Sequence, residues 1–281
     1  MRLSGRDFGG AISTTPYPLS IRRDLKWDFS DIEFRFVDDD ILVSYAWAAL
    51  SILTPATERF FVTALRPLIS SVDNSKLRQD IEDMLTQEVM HAAAHARFNR
   101  ALGRNGYPLD RAEPHVEAML TWISDNCSPM DMVAMVAFGE HLFHSLARTF
   151  LGDTSIGAAM APGFRRLLEY HMLEEVEHAA VAQDVLKYFL CGDDYAHRAR
   201  ISAMAMQQVM RALNGIMNEL VVHGPERITW KNWARFSGYA LAEPGVLRLT
   251  GCRIAEYVRL DYDLKFEPED ARLRVHFGAG L

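Results

Sequence analysis

Two glutamate–histidine pairs carry the strongest chemical signal in this sequence. Glu88-x-x-His91 lies in QEVMHAAAH (87–95), and Glu175-x-x-His178 lies in HMLEEVEHAAVAQDV (171–185). Residues three apart on a helix are neighbours, so each pair brings a carboxylate and an imidazole to one point. Both pairs interrupt apolar stripes. The first stripe reads Ile81, Met84, Leu85, Glu88, His91, Ala92, His95, Phe98, Leu102, and the second reads Leu167, Leu168, His171, Glu174, Glu175, His178, Ala182, Val185, Phe189. Spacings of three and four place each set on one helix face. Polar groups on such a face are costly unless something compensates them. Two lone glutamates repeat the anomaly: Glu58 between Thr54 and Phe61, and Glu140 between Val136 and Phe143. Four buried carboxylates without partners are untenable, and two divalent cations restore neutrality. One Glu-x-x-His is weak, since a chain of this length holds about one by chance. Two of them, each preceded by a lone glutamate on another apolar face, point to a metal centre.

Four helices must position these six residues. The pattern turns helical from about Asp39, with an interruption and restart near Pro55. SVDNS (71–75) reads as a turn with Asn74 or Ser75 as N-cap, and a helix follows from about Lys76 to Arg104. A shorter helix covers about Glu113 to Asp125. Ser128, Pro129 and Asp131 open the next, which runs to about Leu151. Pro162 opens another, predicted as one helix to Leu190, and one more covers about Tyr195 to Val222. Residues 1–38 read as an extended arm with a short strand at Glu33–Val37. The expected division is an arm (1–38), a helical bundle (39–225) and a C-terminal helical extension packed on it (226–281). The fold class is all-α.

Composition bounds the partners. A net charge of −7 and a pI near 5.8 disfavour nucleic acid and anionic membrane. Cys127, Cys191 and Cys252 are scattered, as expected of thiols in a reducing compartment. The N-terminus lacks a basic segment followed by an apolar run, and the expected localisation is cytoplasmic. A small-molecule substrate is expected, with a homodimer open.

The order Glu58, Glu88-x-x-His91, Glu140, Glu175-x-x-His178 resembles the ferritin-like di-iron carboxylate superfamily. More narrowly, SILTPATERFF, QEVMHAAAH and HMLEEVEHAAVAQDV resemble the bacterial family described as predicted metal-dependent hydrolase. The resemblance covers roughly residues 38–225. It implies a ferritin-like four-helix bundle with a long crossover, and Glu58, Glu88, His91, Glu140, Glu175 and His178 as metal ligands and catalytic residues. Ligating histidines need an acceptor on the far ring nitrogen. By similarity to the ribonucleotide reductase small subunit and soluble methane monooxygenase, Glu174 would orient His91 and Gln87 would orient His178, with Asp184 an alternative acid. His95, one turn beyond His91, is the first choice for an extra ligand, as in some di-iron N-oxygenases. His171 and His144 are expected beside the site or in the core.

The ligand set suits iron or manganese, with Fe/Fe expected, Mn/Fe as alternative and zinc ranked below both. The function expected first is a di-iron oxygenase or oxidase using O2 as co-substrate and an electron donor. The alternative is a two-metal hydrolase of a small ester or phosphoester. A third reading is an iron-binding redox protein without organic substrate. The chain contains no His-Asp doublet of the helical phosphohydrolases, which is read as an argument against hydrolysis.

Overall fold

Helix α1 (Ile41–Leu65) starts where the Asp40 carboxylate accepts from the N–H groups of Leu42 and Val43. The computed structural model, which describes residues 18–190, 195–262 and 268–278, shows α1 running unbroken through Pro55, against the expected restart. Pro55 has no N–H for the carbonyl of Ser51. Asn99 of the next helix fills the vacancy, its Nδ2 donating to that carbonyl at 2.9 Å. A defect in one helix is thus satisfied by a side chain from its neighbour.

A 3₁₀ turn over Arg66–Ser71 leads to α2 (Ser75–Arg104), capped by the Asn74 side chain on the N–H of Leu77. Then come α3 (Leu109–Asn126) and α4 (Pro129–Gly152), the latter opened by a capping box between Ser128 and Asp131. The short α5 (Thr154–Ala158) precedes α6 (Pro162–His178) and α7 (Val181–Leu190). A turn at Ala179–Ala180 divides what the apolar period predicts as one helix. The chain continues as α8 (Tyr195–His223), α9 (Trp230–Ser237), α10 (Val246–Glu256) and α11 (Pro268–Gly278).

Packing follows the apolar stripes. Helix α1 lies along α2 and touches α4, while α6 and α7 pack on both α2 and α4. These elements form the bundle that carries all six expected ligands. Between α2 and α4 the chain makes α3, which pairs with α8, and both lie against α1. Helix α9 packs on α1, α10 on α4, and α11 on α6 and α4. The architecture is an all-α bundle. Among the described residues the one isolated β feature is an antiparallel bridge between Val37 and Met160, where a short strand was predicted. Helices α1 and α4 meet closely at Gly139, where a Cβ would stand 2.5 Å from Cζ of Phe61. That approach brings the turn bearing Glu140 against the turn after Glu58.

The arm from Pro18 is part of this core. Leu19, Phe29, Ile32 and Phe36 are buried. Phe29 and Phe36 meet Phe98 edge-on at 5.4 and 5.3 Å between ring centroids, and Trp27 lies 5.2 Å from Tyr170. Residues 1–17 of the expected arm, and Cys191, lie outside the described residues; Cys127 and Cys252 are free thiols. Among the described residues no helix is long and apolar enough to cross a membrane.

Candidate metal centre

Glu58, Glu88, His91, Glu140, Glu175 and His178 all lie at the centre of the bundle, buried to 1% exposure or less. The distances divide them. Glu88, His91, Glu175 and His178 form one group able to hold an ion, and Glu58, His91 and His171 form a second. His91 Nδ1 faces both, at 3.8 Å from Glu58, 4.0 Å from Glu88 and 3.8 Å from Glu175. His178 Nε2 stands 3.4 Å from Glu88 and 3.9 Å from Glu175. Glu140 falls in neither group. Its Oε2 accepts from Nδ1 of His178 at 2.8 Å, while its Oε1 makes no hydrogen bond. In this geometry Glu140 orients His178, with one oxygen left free.

His171 occupies the place for which His95 was the first choice. His171 Nε2 lies 3.2 Å from Glu58 Oε1 and 2.8 Å from Glu175 Oε1. Both nitrogens of His95 are taken, by Ser51 Oγ and by His171 Nδ1, each at 2.8 Å. A chain of partners fixes where the protons sit. Asn99 gives its amide N–H to the Ser51 carbonyl, so its Oδ1 accepts from the Ser51 hydroxyl at 2.7 Å. Ser51 Oγ therefore accepts from His95 Nδ1, and His95 Nε2 accepts from His171 Nδ1. The lone pair of His171 Nε2 is left aimed at the carboxylates. The carbonyl freed by Pro55 thus begins a chain that ends at the centre. Both rings are neutral: burial holds His95 well below its usual range and brings His171 down to about 3.

Other expected neighbours sort differently. Glu174 Oε2 accepts from His91 Nε2 at 2.9 Å, leaving Nδ1 to face the centre. Burial pushes Glu174 up to about 7, with Arg22 opposing the shift. Gln87 does not reach His178; its amide N–H groups go to the Ser20 carbonyl and to Glu177. The reason is direction, since Gln87 points at the docked arm. His144 faces Asp270 of α11 at 3.4 Å, away from the centre. Asp184 is buried on α7 but belongs to neither group. No spacing in the sequence marks Arg22 or Glu177 as part of the site. Their signal is the surplus of acid in LEEVE, more buried carboxylate than two ions neutralise.

Electrostatics bear on occupancy. Burial first, then the neighbouring carboxylates, hold Glu58 and Glu88 well above the ordinary range; burial does the same to Glu140 and Glu175. Both oxygens of Glu58 and Glu88, Glu175 Oε2, His91 Nδ1 and His178 Nε2 make no hydrogen bond. Buried polar atoms are rarely left so. Here acceptors converge from four helices, and acceptors alone repel. Divalent cations fit this set, and the observed separations suit donors about 2.1 Å from a shared ion. A cavity of about 10 Å³ lies beside His95 and His171, with Trp47, Thr54 and Phe143 in its wall. It has room for about one water.

An all-α bundle enclosing a carboxylate–histidine centre able to bind metal is the class these observations define. The chain belongs to the family described as predicted metal-dependent hydrolase, whose model matches residues 21–270. No curated protein and no solved structure matches it significantly. The family overturns the oxygenase expected from the ligand types and favours the hydrolase alternative. Carboxylate and imidazole donors hold ions that activate water as readily as ions that reduce oxygen, so residue type does not choose between them. The missing His-Asp doublet excludes one hydrolase motif only.

Proposed function

We propose that this chain is a two-metal hydrolase of a small ester, with a phosphoester as the second substrate class, built on a ferritin-like bundle. Glu58, His91, His171, Glu88, Glu175 and His178 would hold the ions, with Glu140 contributing through its free oxygen. The observation that carries the reading is the convergence of unpartnered buried acceptor atoms on two adjoining groups that share His91, in a chain whose family is described as predicted metal-dependent hydrolase. Bound divalent ions supply Lewis acidity, polarising a carbonyl or phosphoryl oxygen and acidifying water. The donors suit zinc, manganese or iron, and hydrolysis asks for no redox change.

The chain's own residues do the rest. Glu174, Glu140 and His95 hold the three histidines by their outer nitrogens, so each presents a lone pair inward. Trp47, Phe143, Leu146 and Met172 keep bulk water from the His171 side. The residues lining the cavity there include no Arg or Lys, which favours a neutral acyl ester over a phosphoester. Its size restricts entry to small groups that displace these side chains.

The test loads metal-free protein separately with Zn2+, Mn2+ and anaerobic Fe2+ and assays short-chain nitrophenyl esters and nitrophenyl phosphate. Cleavage that needs the ion and vanishes in Glu88→Ala is expected. Metal-loaded protein that cleaves neither class would refute the proposal.

A further inference from the structure

The outer side of His91 is closed by the N-terminal arm. Arg22 donates through NH1 to Glu174 Oε1 at 2.8 Å and through NH2 to Glu177 Oε1 at 2.8 Å. Its NH1 also reaches Glu177 Oε2 at 3.2 Å and the Ser20 carbonyl at 3.1 Å. The Ser20 N–H donates to Glu177 Oε2 at 3.1 Å, and Gln87 Nε2 donates to the Ser20 carbonyl at 3.1 Å. Arg274 of α11 approaches Glu177 Oε1 at 3.5 Å. The two oxygens of Glu174 are therefore divided: Arg22 holds one and His91 the other.

We propose that Arg22 is a positioning residue of the metal centre, and that the docked arm and the bound ions stabilise one another through Glu174. With Oε1 held by the arm, the Glu174 carboxylate turns Oε2 to His91 Nε2, which fixes the direction of Nδ1. Without Arg22, Glu174 and Glu177 remain close together at less than 2% exposure, and the Glu174 carboxylate is held from the His91 side alone. A planar guanidinium spans both acids at once, which a lysine ammonium does not. The coupling is reciprocal: whatever factor arm docking adds to ion affinity, ion binding adds to arm docking. Because Phe29, Ile32 and Phe36 bury the following arm segment independently, loss of Arg22 leaves the fold standing.

This inference rests on the metal-centre reading, and the experiment separates the two. Mn2+ affinity is measured by competition with a chromophoric chelator for wild type, Arg22→Ala and Arg22→Lys, and hydrogen exchange across residues 18–26 is followed with and without Mn2+. The expected result is a loss of about 10-fold or more in Arg22→Ala, in the range for residues supporting a ligating histidine, with partial recovery in Arg22→Lys. Mn2+ slows exchange in the arm of wild type and not of Arg22→Ala. Equal affinities in folded wild type and Arg22→Ala overturn the coupling while the metal centre stands. If Arg22→Ala does not fold, equal affinity in Arg22→Lys overturns it. A wild type that binds no divalent ion refutes the centre itself, and the coupling with it.

Discussion

Removal of the metal is the perturbation that the structure makes most quantitative. Without ions, Glu58, Glu88, Glu140 and Glu175 hold protons more tightly than free carboxyls, because burial raises each well above the ordinary range. A carboxyl whose folded pKa is raised adds stability below its unfolded value near 4.5 and loses it as pH rises through the folded value. The metal-free form therefore weakens as pH rises above the ordinary carboxyl value of 4.5. Glu174, at about 7, adds to the same trend. Histidines run the other way. His171, at about 3, and His91, well below its usual range, add stability above about 6.5 that is lost as pH falls. These two rings are held neutral by burial and release no proton when an ion binds, whereas a protonated carboxyl must. An ion at 100 times its Kd stabilises by about 2.7 kcal/mol, and at about 2–4 °C per kcal/mol this is a Tm gap of about 5–11 °C. Thermal melts with and without chelator at pH 5.5, 7 and 8, with metal content measured, should show a gap that widens with pH. Calorimetry in buffers of different ionisation heat should show proton release. A gap that is absent, constant or narrowing with pH would refute the reasoning.

Two further outcomes test the arrangement around the centre. His171→Ala should weaken divalent-ion affinity more than His95→Ala, for which a loss of about 10- to 100-fold is expected of an outer partner; chelator competition with equal values for His171→Ala and wild type would remove His171 from the ligand set. Gly139→Ala forces a methyl to 2.5 Å from the Phe61 ring and should cost about 1–3 kcal/mol, read as a lowered Tm; an unchanged melt would show that Phe61 moves aside freely.

The sequence by itself determined the helices and the burial of the acidic and imidazole groups. Helix period is local: spacing alone placed Glu88 with His91, and Glu175 with His178, on apolar faces, and those faces are buried. It also supported the family resemblance, through three short stretches around these residues. Spacing could not rank the histidines within a face. His95 and His171 sit on different helices at equal distance in turns from their pairs, and only the packing of these helices in the bundle puts His171 against Glu58 and His95 against Ser51. The same holds for Gln87, aimed at the docked arm, and for Glu140, bonded to His178. Arg22 was invisible because its partners are 152 and 155 residues away. Pro55 reads as a break in the sequence, yet Asn99 from another helix supplies the missing partner. Each of these depends on how one segment docks against another, arm on helix or helix on helix, which no period along a single helix encodes.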